Sequence, residues 1–86
     1  MTRVLREQGS LQARRGDWAG AAETLGRYVK AEPADPEGYL DLGSALQRSG
    51  RADEAAAVFR RGLEAAQRAG DEPAAAELQR RLGPAQ

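Results

Sequence analysis

The sequence predicts an all-α protein, a helical-repeat solenoid of two antiparallel helix pairs followed by one capping helix. Three observations predict it. Residues 1–34 laid over residues 35–68 coincide without a gap at Gly9/Gly43, Ser10/Ser44, Arg14/Arg48, Gly16/Gly50, Ala21/Ala55, Ala22/Ala56, Arg27/Arg61 and Ala31/Ala65. Large apolar residues also correspond, Leu25 with Phe59 and Val29 with Leu63. Within each run apolar residues recur at three- and four-residue spacings, the helical period, and each run is bracketed by capping residues and breakers. Self-similarity at this period marks stacked units that bury their apolar faces against one another.

The elements follow in order. Thr2 opens a first helix that runs to about Arg15, and Gly16 ends it. Asp17 starts a second helix reaching about Ala31, with Trp18, Ala21, Ala22, Leu25, Tyr28 and Val29 on one face. Glu32-Pro33-Ala34 breaks the helix. Asp35-Pro36 restarts it, Asp as N-cap and Pro at the first helical position. Tyr39, Leu42 and Leu46 carry the third helix's buried stripe, Gly38 is expected in its exposed first turn, and Gly50 stops it. The fourth helix has Asp53 and Glu54 in its first turn, where carboxylates favour the dipole. Its stripe is Ala52, Ala55, Ala56, Phe59, Leu63 and Ala66, and Gly70 closes it. Asp71-Glu72-Pro73 opens a fifth helix with Ala75, Leu78 and Leu82 on one face, and Gly83-Pro84 terminates it. The units are thus residues 2–34 and 35–69, with residues 71–83 as a capping helix.

Composition narrows the chemistry. The 86 residues contain neither Cys nor His, so disulfides, thiolate chemistry, Cys/His metal sites and an imidazole acid–base are excluded. The carboxylate pairs Asp53/Glu54 and Asp71/Glu72 sit at helix starts, where capping accounts for them. No catalytic residue, cofactor or metal is expected. Thirteen bases balance thirteen acids, which gives no electrostatic reason to favour nucleic acid or an anionic membrane. No apolar run reaches the length of a signal core or a membrane span, so a cytoplasmic protein is expected.

Tyr39-x2-Leu42-Gly43-x2-Leu46, then Ala55-x3-Phe59, resembles the tetratricopeptide repeat, a 34-residue helix pair. The first unit is looser, Leu5-x2-Gln8-Gly9-x2-Gln12, then Ala21-x3-Leu25 and Pro33. Gly9, Gly43, Ala21 and Ala55 are small where the helices of a unit cross, since interaxial distances are only about 8–10 Å. Gln8 and Gln12 depart from the pattern, so the first helix should pack more loosely than the third.

The resemblance implies a non-catalytic module that binds a protein or peptide on a concave side lined by the first helix of each unit. On that side fall Arg3, Arg6, Ser10 and Arg14 from the first helix, and Glu37, Leu40, Ser44, Gln47 and Arg48 from the third. Guanidinium groups there suit an acidic peptide; an ordinary solvated face of an Arg-rich chain is the alternative. Some family members clamp the C-terminal carboxylate of heat-shock chaperones. Here Asp41 stands where that clamp needs Asn, which argues against that role. Val4 and Leu11 lie seven residues apart on the face that would meet a preceding unit. They are either tolerated exposed residues or an edge for self-association into a homodimer. Trp18 is expected in the core.

Overall fold

The computed structural model describes residues 2–83, which form five helices: α1 Thr2–Arg14, α2 Trp18–Ala31, α3 Pro36–Arg48, α4 Ala52–Ala69 and α5 Glu72–Leu82. Pro84, assigned above to the C-terminal stop, lies outside them. The caps act where the sequence places them. Asp17 accepts from the Gly20 amide at 3.0 Å, Asp35 from Glu37 at 3.1 Å and Asp71 from Ala74 at 3.2 Å, each satisfying an amide that the first turn leaves without a partner. Gly16 and Gly50 turn the chain within each pair at φ 81° and 82°, a conformation that costs other residues a Cβ clash.

Each helix packs on the next, and α3 also touches α1 and α5, so α1, α3 and α5 form one layer and α2 and α4 the other. Phe59, Leu25 and Leu78 are the largest fully buried side chains. Burying a side chain of that size is worth about 1.5–3 kcal/mol. The core includes Tyr28, Val29, Tyr39, Leu40, Leu42, Leu46 and Val58, filled in by alanines at close helix contacts. Among the described residues no helix is long and apolar enough to cross a membrane.

Two expectations need correction. On α4 the buried residues are Ala55, Val58, Phe59, Gly62, Ala65 and Ala66, whereas Ala52 is exposed and Ala56 and Leu63 are only partly covered. The cause is that α4 packs on both α3 and α5, so its apolar surface is wider than one stripe. Gly38 is buried, not exposed: a Cβ there would lie 2.8 Å from Tyr28 Cε2 and 3.1 Å from Val29 Cγ1. The short Glu32–Asp35 connection holds the first turn of α3 against the last turns of α2.

α1 is the loosest helix. Only Gly9 is buried on it, against eight residues of α3. Gln12 Oε1 is shut from solvent and accepts no hydrogen bond among the described residues.

Candidate functional site

The α1–α3–α5 layer gathers the polar residues singled out from the sequence. At its centre Arg6 Nε lies 3.5 Å from Asp41 and its Nη1 3.7 Å from Asp35. Asp35 also caps α3 and accepts a short hydrogen bond from the Tyr28 hydroxyl. One carboxylate therefore ties α1, α2 and α3 together. Electrostatics follow this arrangement. Burial pushes the Asp41 carboxyl above its ordinary range, and Arg6 only partly opposes it. Burial disfavours the Arg6 cation, yet Asp41 and Asp35 outweigh that and hold its pKa up. The bond to Asp35, with burial, raises Tyr28. Two acids thus share the Arg6 guanidinium, and the Arg81 cation of α5 acts more weakly on Asp41.

The other predicted residues separate. Arg3, Arg14, Glu37, Gln47 and Arg48 are exposed, as is Ser10, while Ser44 is half-buried. Leu40 is only 8% exposed and belongs to the core, which corrects its expected place among the partner-binding residues. Its position on α3 is covered by the neighbouring helices. Ser10 and Arg14 are brought together with Ser44 in a cleft of about 260 Å³ between α1 and α3, which Trp18, Leu25 and Asp41 also line. Arg3, Arg6, Glu7 and Ser10 border a second, more polar hollow of about 470 Å³. Val4 and Leu11 lie apart from both, 55% and 40% exposed.

Two members of the site differ from the sequence reading. Trp18 is half-buried instead of enclosed, and the Arg48 guanidinium sits over its ring, 5.0 Å from the centroid. Arg81 of α5 was not singled out. Its Nη1 donates to Ser44 Oγ at 2.6 Å, its Nε to Glu77 at 2.8 Å, and it lies 6.0 Å from the Phe59 ring centroid. Hydrogen bonds from Arg80 and Arg81 hold Glu77 below the usual carboxylate range. A signal was available: one further 34-residue step from Gln47 lands on Arg81.

The opposite layer carries a groove of about 640 Å³ between α2 and α4, with Ala22, Gly26, Leu42 and Val58 among its lining residues and Glu23 and Arg61 beside them. Arg51, which also lines it, is engaged with Glu54 at 2.7 and 2.9 Å. None of the residues expected to bind a partner lies there.

Known proteins place this geometry. The structure resembles the solution structure of a tetratricopeptide repeat domain protein from Salinibacter ruber, with a TM-score of 0.86 at 21% identity over 95% of this chain and 83% of that one. A crystal structure of a tetratricopeptide repeat domain protein from Salinibacter ruber gives a TM-score of 0.85 at 21% identity, over 95% of this chain and 92% of that one. At that identity the likeness is one of fold alone. A search of curated proteins finds no match. In sequence, residues 6–72 match the tetratricopeptide repeat. The chain belongs to the tetratricopeptide repeat family, whose fold generally mediates protein–protein interaction and whose members are typically non-catalytic.

Proposed function

We propose that the α1–α3–α5 face is a non-catalytic binding surface for an acidic peptide or an acidic segment of a partner protein. Residues 2–34 and 35–69 serve as the two stacked units of this surface, and residues 71–83 cap the second. One observation carries the reading: Arg14 and Arg48, equivalent in the 34-residue register, are exposed and ion-paired with no carboxylate among the described residues. Arg3 joins them at the other end of α1. Arg6 contributes less, because Asp35 and Asp41 already occupy it. Glu37, Ser44 and Gln47 supply polar contacts around this set.

The test is fluorescence anisotropy of labelled acidic and basic peptides against the full chain. Acidic peptides should bind preferentially, and more weakly as salt rises. Arg14→Glu/Arg48→Glu should remove the preference while the helical circular dichroism stays intact. Equal binding of both peptide classes, or no effect of the variant, would refute the reading.

A second reading is self-association through the N-terminal edge. Among the described residues Val4 and Leu11 are the large apolar side chains left exposed. They stand 34 residues before Gly38 and Ala45, both buried on α3. Sedimentation should then show a concentration-dependent dimer that Val4→Glu/Leu11→Glu dissociates. A wild-type chain that stays monomeric at high concentration removes this reading.

A further inference from the structure

The cleft between α1 and α3 has an uneven chemistry. Its accessible apolar surface comes from the half-buried Ala13 and Trp18, with the buried Leu25 and Ala45 behind them, and Ser10 and Ser44 also line it. Ser44 Oγ already accepts from Arg81, which leaves its own O–H free to donate. Asp41 marks one side of the cleft, Arg14 another. The Asp41 side disfavours a second anion, because two carboxylates there already share Arg6, with only a weaker pull from Arg81. The opposite side is open to one. Arg14 borders it, and the Arg48 guanidinium sits over the Trp18 ring. A guanidinium held over an aromatic ring by the cation–π attraction still has N–H groups to offer a carboxylate.

We infer that this cleft receives an apolar side chain of the bound peptide and that Arg14 and Arg48 hold a carboxylate of an adjacent residue. The inference rests on the α1–α3–α5 face being the binding surface, and it goes further by naming the partner's local chemistry: an apolar residue beside an acidic one. A purely polar acidic segment leaves the Trp18 surface wet. A basic segment meets two uncompensated guanidinium groups. A leucine-sized side chain gains by leaving water for Trp18 and Ala13.

The chain carries a reporter, because Trp18 is its only tryptophan. The probes are acetylated, amidated pentapeptides of the sequences Glu-Glu-Leu-Glu-Glu, Glu-Glu-Ala-Glu-Glu and Lys-Lys-Leu-Lys-Lys, with a uridine oligonucleotide as a fourth. Labelled copies report binding by anisotropy, and unlabelled copies report the cleft by Trp18 emission. The acidic leucine peptide should bind about tenfold more tightly than its alanine counterpart and should change Trp18 emission. The basic peptide should do neither. Ala13→Phe, which fills the cleft, should remove the leucine preference while leaving weak acidic binding. Should that variant fail to fold, the wild-type leucine/alanine comparison still decides.

Equal binding of the leucine and alanine peptides with unchanged Trp18 emission overturns the inference and leaves the binding face standing. Failure of every acidic peptide to bind overturns both. An oligonucleotide that changes Trp18 emission as the leucine peptide does overturns the assignment to a peptide.

Discussion

Gly43 lies against the ring of Phe59 so closely that a Cβ at that position would come within 2.6 Å of Cζ. The same contact recurs 34 residues earlier, where a Cβ on Gly9 would lie 2.6 Å from Leu25 Cγ. The sequence repeat is thus a repeat of one helix crossing. Leu25 and Phe59 are both fully buried, so the two copies differ in the helix that can yield: Gly9 belongs to the sparsely buried α1 and Gly43 to the well-buried α3.

Gly43→Ala should therefore destabilise by about 1–3 kcal/mol, the usual range for overpacking, and more than Gly9→Ala. Phe59→Leu converts the second crossing to the residue type of the first. In a double-mutant cycle the Gly43→Ala penalty should fall in the Phe59→Leu background by a coupling of about 0.5–3 kcal/mol. Urea denaturation of the four proteins measures it. Strict additivity would show that the ring is not what Gly43 accommodates.

Gly38 and Gly26 give a paired prediction of opposite sign. Around Gly26, inside α2, a Cβ would meet nothing within 4 Å, so Gly26→Ala should stabilise by up to about 1 kcal/mol through helix propensity. Gly38→Ala should destabilise, because the Tyr28 ring beside it is fixed by its bond to Asp35. Midpoints that move in the same direction would contradict the packing at the α2–α3 junction.

The helix limits were legible because they depend on local chemistry: Asp17, Asp35 and Asp71 each cap the amides next to them. The glycine crossings were legible because the repeat printed them twice. What stayed hidden depends on contacts between helices that no single period encodes. Asp35 reads as a cap, and only the packed chain brings Tyr28 and Arg6 to the same carboxylate. Arg81 reads as a surface residue of the last helix until α5 lies beside α3 and places it on Ser44, 37 residues away. Gly38 looks exposed in its own turn, and α2 buries it.

Asp41 predicts a pH dependence. Its carboxyl is raised by burial, so the folded chain binds a proton there more readily than the unfolded chain. Ionised Asp41 then costs stability above its raised pKa, and the cost disappears as pH falls through that value toward the ordinary 3.8. Asp41→Asn should melt slightly higher than wild type at pH 7, by the equivalent of less than about 1 kcal/mol because the Arg6–Asp41 pair is only half-buried and partly screened. The difference should vanish near pH 3.5. Glu54 and Glu77 are shifted down by their arginine partners and contribute the opposite slope in both proteins, so they cancel in the comparison. An Asp41→Asn variant less stable at pH 7 would mean that the bond to Arg6 outweighs burial.

The looseness of α1 has an identifiable source in Gln12. It stands 34 residues before Leu46, which is 4% exposed in the core, yet it carries a buried amide oxygen with no donor among the described residues. An unsatisfied buried polar group costs about 1–3 kcal/mol, and the apolar residue at the equivalent position shows what the fold accepts there. Gln12→Leu should therefore raise stability by about 1–2 kcal/mol on that scale. It should also slow amide hydrogen exchange along α1 selectively, since local opening tracks local packing. Gln8→Leu is the control, because Gln8 is exposed and its substitution should leave both measurements nearly unchanged. If the two variants behaved alike, the cause would be general hydrophobicity and not the unsatisfied amide. If Gln12→Leu destabilised, the amide oxygen would have to be meeting a donor that supports the fold.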